Sequence, residues 1–168
     1  MDKKIEAALN SQVQKEAQSS HIYLAMAVWA ETQGLDGSSA FLYQHAEEER
    51  LHMLKLVKFI NERGGKAVIP SVSAPKADYK SLGSVFQAIL DHETIVSQNI
   101  NEIVQICLEA KDYATHHFMQ WYVAEQIEEE AMARKVIDRL NLAGDDKGAL
   151  YLFDRDISAL DAEAHNNA

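Results

Sequence analysis

Apolar and polar positions along this chain recur with the period of a helix. Spacings of three and four residues join Leu9, Gln12, Glu16, Ser19, Tyr23, Met26 and Ala30 into one stripe. A second stripe holds Leu42, His45, Glu49, His52, Leu56 and Phe59, and a third Phe86, Ile89, Glu93, Val96, Ile100, Ile103 and Cys107. The fourth runs Met119, Tyr122, Gln126, Glu129, Ala133, Val136, Leu140. Stripes of this kind face the axis of a helical bundle. They predict helices over about 5–33, 38–63, 82–110 and 113–141, with a short fifth over about 149–161. Gly34, Gly37, Gly64, Gly65, Pro70, Pro75, Gly83, Gly144 and Gly148 stand at the breaks, where turn-forming residues belong. Ser38, Ser81 and Asp112 are the expected N-caps of the second, third and fourth helices. No alternating run bounded by turns argues for a sheet, so the chain reads as all-α.

Loop lengths set the expected topology. The first and second helices are joined by a few residues, as are the third and fourth, so each pair should form an antiparallel hairpin. Residues 64–81 carry both prolines of the chain and are too long for a tight turn. A connection of that length crosses a bundle and leaves the second and third helices parallel. The expectation is a four-helix bundle with a long crossover and a fifth helix appended, the whole of 1–168 forming a single domain.

Each stripe carries an acid near its middle: Glu16, Glu49, Glu93 and Glu129. Measured from the hairpin turns, these acids lie about 20–30 Å along their helices, at the 1.5 Å rise of an α-helix. Burying an ionised carboxylate costs several kcal/mol, against a typical domain stability of about 5–15 kcal/mol. No Lys or Arg occupies the stripes. Either some acids are protonated or a multivalent cation neutralises them, and a metal site is the better account. Carboxylates with one imidazole and no thiolate suit iron or manganese rather than structural zinc. Glu49 and His52, at i and i+3, can bind one ion from one helix face, with Glu16 completing its shell. Glu93, with Gln126 or Glu129, would serve a second ion, Glu49 bridging the two.

Composition narrows the function classes. Twenty-six acids against sixteen bases give a net charge of −10, which argues against nucleic acid and anionic membranes as partners. The single cysteine, Cys107, excludes an internal disulfide framework and reads as a buried apolar-like residue. The opening Met1-Asp2-Lys3-Lys4-Ile5 has no apolar signal core, and no run reaches membrane-spanning length. A soluble, cytoplasmic protein is expected.

With these residues in view, the chain resembles the ferritins, and more closely the non-haem bacterial ferritins. The resemblance rests on five pieces: Glu16 with Tyr23; the run His45-Ala46-Glu47-Glu48-Glu49-Arg50-Leu51-His52; Glu93; the run from Trp121 to Glu130; and Leu142-Ala143-Gly144 before the last helix. It implies a ferroxidase, a di-iron centre that oxidises Fe(II) with dioxygen or peroxide, in a hollow 24-subunit shell that stores ferric mineral. Glu16, Glu49 and His52 would hold the first iron, Glu93 and Glu129 the second, with Gln126 beside it. Glu48, Glu125 and Glu128 match the acids of a third iron site, sharing Glu129, and Tyr23 would be redox-active. Arg50 follows the bridging glutamate where bacterioferritins resemble one another in a haem-binding methionine, and Met53 is out of register, so no haem is implied. The acidic pair lining the three-fold pores of animal ferritins falls here at His116 and Met119.

Other functions predict other features. A di-iron oxidase or peroxidase would repeat the Glu-x-x-His pattern, where this chain has Gln126-Ile127-Glu128-Glu129, or would add a Cys-x-x-Cys domain. A DNA-protecting mini-ferritin typically lacks the fifth helix. Taken alone, Glu47 and Glu130 read as solvated and His45 as a hydrogen-bonded core histidine. The fifth helix gathers Leu150, Phe153, Ile157 and Leu160 on one stripe, with Asp154, Arg155, Asp156 and Asp161 elsewhere, and assembly is its preferred use.

Overall fold

The computed structural model describes residues 1–165, the side chains of Ser158 and of residues 160–165 excepted. Leu160 and Asp161 therefore lie outside the described side chains. Five helices run in order: α1 (Lys3–Thr32), α2 (Asp36–Glu62), α3 (Leu82–Glu109), α4 (Tyr113–Ala143) and α5 (Lys147–His165). All four long helices fall within a few residues of the segments that the stripes predict, because a long apolar stripe is a local signal. The expected caps hold at two of three sites. Ser81 and Ser84 form a reciprocal capping box on α3, and Asp112 accepts from the backbone of Thr115 at the start of α4.

The third cap is a correction. α2 begins at Asp36, so Ser38 is inside the first turn, and its hydroxyl is buried without a partner. The open backbone donors there are met by Asp154 of α5, which accepts from Gly37 N at 3.0 Å and Ser38 N at 2.8 Å. The helix arrives so close that a Cβ on Gly37 would stand 1.8 Å from the Asp154 carbonyl oxygen. Only glycine permits that approach. α5 packs against α2 and α4, with Ile157 fully buried and Leu150 and Phe153 against the same core. Of the stripe expected to serve assembly, Ile157 is thus buried and Leu150 and Phe153 partly buried within the chain, and Asp154, placed elsewhere by the pattern, is buried beside them.

The crossover runs the length of α1. Asn10 bonds the backbone of Lys66 and Val68, Gln18 that of Ser73, and Trp29 meets Tyr79 edge-on at 5.7 Å. Early in α2 and α3, Phe41 and Phe86 lie 5.8 Å apart, while at their far ends Arg63 pairs with Asp112. α2 and α3 are therefore parallel, as the long loop required. Among the described residues no helix is long and apolar enough to cross a membrane.

Two apolar clusters fill the bundle. One gathers Met26, Ala30, Leu42, Phe86, Val136 and Ile157, the other Leu9, Val13, Leu56, Ile60, Ile100 and Met119. Between them lies a polar layer. Tyr23 belongs to the first cluster and Tyr122 to the second, each with a hydroxyl turned to a polar partner. Met119 is fully buried, so of the pair aligned with a pore only His116 reaches the surface.

Candidate metal centre

The polar layer holds Glu16 from α1, Glu49 and His52 from α2, Glu93 from α3 and Gln126 from α4, all buried. One ligand atom from each of Glu16, Glu49 and His52 lies within 4.8 Å of the other two. His52 Nδ1 is 3.8 Å from Glu16 Oε2 and 3.7 Å from Glu49 Oε2. The i, i+3 spacing puts Glu49 and His52 on one face of α2, and the tight α1–α2 hairpin sets Glu16 opposite. His52 is fixed further by the Tyr122 hydroxyl, which donates to its carbonyl at 2.8 Å, and by the edge of Trp121 at 5.1 Å. Lys55 lies over the face of that indole, 3.2 Å from its centroid.

Glu93 is braced at both oxygens. The Tyr23 hydroxyl donates to Oε1 at 3.1 Å and Gln126 Nε2 to Oε2 at 3.1 Å. Gln126 also lines a groove of about 240 Å³ between α3 and α4, with Ser97 and Glu130 on its walls. Ser97 donates to Glu130, and Arg134 pairs with it. Glu130 is thus half-buried in this network, whereas Glu47 is solvated and paired with Arg50 as expected.

The remaining acids divide. Glu129 is half-buried and groups with His45 and Glu48, one ligand atom of each lying within 4.8 Å of the others. His45 Nδ1 donates to Phe41 O at 3.0 Å, which turns Nε2 toward Glu48 Oε2 at 3.9 Å. The expected core hydrogen bond is present, and the second nitrogen faces acids. The resemblance already joins Glu48 to Glu129, and the sequence reads His45 as core because it lies a turn from Glu49, although His45 and Glu48 share the i, i+3 spacing of Glu49 and His52. Glu125 and Glu128 are half-buried and fall in neither ligand group among the described residues. Glu125 lies toward Lys55 and Tyr122, whose electrostatics it shapes.

Electrostatics expose the cost of this layer. Burial, then the charges of Glu16 and Glu93, hold the Glu49 carboxyl well above the usual carboxylate range. Burial raises Glu16 as well, with Glu49 close enough to share a hydrogen bond. Glu93 is pushed up to about 8 by burial and then by Glu129. Burial takes the His52 imidazole down to about 4, keeping it neutral at ordinary pH. A cluster of acids that resists ionisation, beside a neutral imidazole, is prepared to exchange protons for a cation. The donor set fits iron: oxygen ligands, one imidazole and no thiolate, the one cysteine being buried in the second apolar cluster.

The sequence matches the family described as a ferritin-like domain over residues 6–143. The chain belongs to the ferritin family. This ferritin is 43% identical over 156 residues to a probable bacterial non-heme ferritin-like protein of Haemophilus influenzae, spanning 93% of this chain and 94% of that one. It is 40% identical to the bacterial non-heme ferritin of Campylobacter jejuni, spanning 92% and 93%. Among solved structures it resembles an open pore ferritin from the hyperthermophilic archaeon Archaeoglobus fulgidus, with a TM-score of 0.92 and 38% identity over 94% of this chain and 98% of that one.

Proposed function

We propose that this ferritin is an iron-storing ferroxidase, oxidising Fe(II) at the polar layer and passing ferric product into the cavity of a shell of identical subunits. The observation that carries the reading is the buried Glu16–Glu49–His52 group, its ligand atoms within 4.8 Å of one another, with the doubly braced Glu93 across the bundle. Glu16, Glu49 and His52 take the first Fe(II). Glu93 and Glu129 take the second, Glu49 bridges, and Gln126 marks the side open to the α3–α4 groove. Two Fe(II) each give one electron to dioxygen, which takes up two protons and leaves as hydrogen peroxide. The protein supplies placement and charge neutralisation, the metal the redox chemistry.

Tyr23, with its hydroxyl on Glu93, is the redox-active side chain in this reading. For the third iron, the grouping of His45 and Glu48 with Glu129 favours those residues as its first contacts, with Glu125 and Glu128 further along α4. The chain is a single domain working in the cytoplasm, and the shell has the 24 subunits that the family resemblance implies.

The test combines native mass measurement with aerobic Fe(II) loading. Glu49→Ala and His52→Ala are expected to assemble normally yet slow the initial oxidation sharply. Unchanged kinetics in an assembled variant would sink the assignment, and a monomer retaining no iron would sink the storage reading.

A further inference from the structure

Gln12 lies one turn before Glu16 on α1 and is fully buried. Its Nε2 donates to Glu16 Oε1 at 2.7 Å, while its own Oε1 is buried with no hydrogen-bond partner. Buried amides ordinarily satisfy both ends, so the orientation needs a cause. Turned over, the amide would set its carbonyl oxygen against a carboxylate oxygen, two acceptors face to face. The orientation present leaves one acceptor unmet and keeps the N–H on Glu16.

That bond divides the two oxygens of Glu16. Oε1 belongs to Gln12, and Oε2 faces His52 Nδ1 at 3.8 Å. Glu93, across the bundle, is also held by an amide, but its second oxygen carries the Tyr23 hydroxyl, so Glu16 is the acid with one oxygen held and one left to the site. Glu49, the acid assigned to bridge, is set against Glu16 and His52 in the layer rather than against an amide. The bracing thus falls on the two terminal acids.

We propose that Gln12 is a positioning residue for the first metal position, holding Glu16 by Oε1 so that Oε2 alone is offered to a divalent cation. The proposal rests on Glu16, Glu49 and His52 being the ligands of that position. A carboxylate held by one oxygen binds through the other and leaves a coordination place open on the ion. A free carboxylate can chelate through both and fill that place. Partners that orient a ligand in this way typically alter metal affinity by about 10–100-fold when removed.

The test is an anaerobic Co(II) titration of the assembled protein, with visible absorption reporting coordination number and no oxidation involved. Gln12→Leu removes the donor and the unmet carbonyl together at similar volume, so the metal-free shell should keep its melting temperature or gain. The expected result is roughly tenfold weaker binding at the first position, with a changed visible spectrum as Glu16 loses its fixed single-oxygen presentation. Gln12→Met serves if the Leu variant does not assemble. Wild-type affinity and spectrum in either assembled variant overturn the proposal, as does a lowered melting temperature with unchanged Co(II) binding. Glu49→Ala separates the two levels. If it loses Co(II) while the Gln12 variants do not, only the role of Gln12 fails; if it too binds normally, the site reading fails.

Discussion

Asp154 Oδ1 accepts a 2.8 Å hydrogen bond from the backbone N–H of Ser38, at the first turn of a helix that lies 116 residues earlier in the chain. With Gly37 N on Oδ2, the carboxylate serves as the N-cap that α2 lacks, and its charge favours the positive end of that helix. The same contact fixes α5.

Asp154→Ala should therefore cost about 1–2 kcal/mol, at the upper end of cap replacements because the freed donors are partly buried. The loss should appear in urea unfolding and as faster amide exchange in α5. Gly37→Ala should do more, since its Cβ would meet the Asp154 carbonyl oxygen at 1.8 Å and α5 must move. Normal protection of α5 in that variant would contradict the packing described.

The metal-free protein should lose the Glu93 contribution to its stability as pH rises from about 5 to 8, with the net loss emerging above about 6.5, where the opposing His52 contribution is complete. Glu93 is raised from 4.5 to about 8, so the folded state holds a proton that the unfolded chain has released. Its contribution is complete below the unfolded value and is lost as pH climbs through the folded one. His52 sets the opposite limit: lowered from 6.5 to about 4, it contributes above 6.5 and loses that contribution as pH falls through 4. Each fully titrating proton changes stability by about 1.4 kcal/mol per pH unit. Glu93→Gln should flatten the alkaline limb in urea titrations at several pH values, and Co(II) binding to the unmutated protein should release protons.

Tyr23→Phe removes one of the two donors on Glu93. The fold should lose about 1 kcal/mol, with weaker Fe(II) binding at the second position by about tenfold. A tyrosyl radical signal seen by EPR after mixing with oxygen should vanish, and its persistence would move the redox role to another residue.

Trp121 should report occupancy of the first position. Its ring meets His52 at 5.1 Å and carries Lys55 on its face, so a paramagnetic cation on His52 should quench its fluorescence. The quench should disappear in His52→Ala. Trp29, the other tryptophan, packs on Tyr79 in a different cluster, and Trp121→Phe should leave a signal that does not respond to metal.

Much of this was legible in the amino-acid order. The four stripes located α1 to α4, and the long Pro-marked segment gave the parallel α2 and α3, because helix periodicity and loop length are local properties. The mid-stripe acids pointed to the layer where Glu16, Glu49, His52 and Glu93 meet, since residues at one depth on facing stripes must come together when a bundle closes. Other features depended on distant partners. Ser38 had the composition of a cap, yet Asp154 took the role, because the docking of α5 brought a stronger acceptor to donors the hydroxyl did not satisfy. Gln12 stood on its stripe with no sign of purpose, and His45 read more as a hydrogen-bonded core residue than as a ligand. Sequence by itself determined which faces are buried and at what depth the acids lie, since each follows from spacing along one helix. Tertiary structure decided which oxygen of Glu16 is held, which nitrogen of His45 faces the acids, and what caps α2. Those choices are side-chain orientations and close approaches, and they acquire definite energies only once separate helices are packed together.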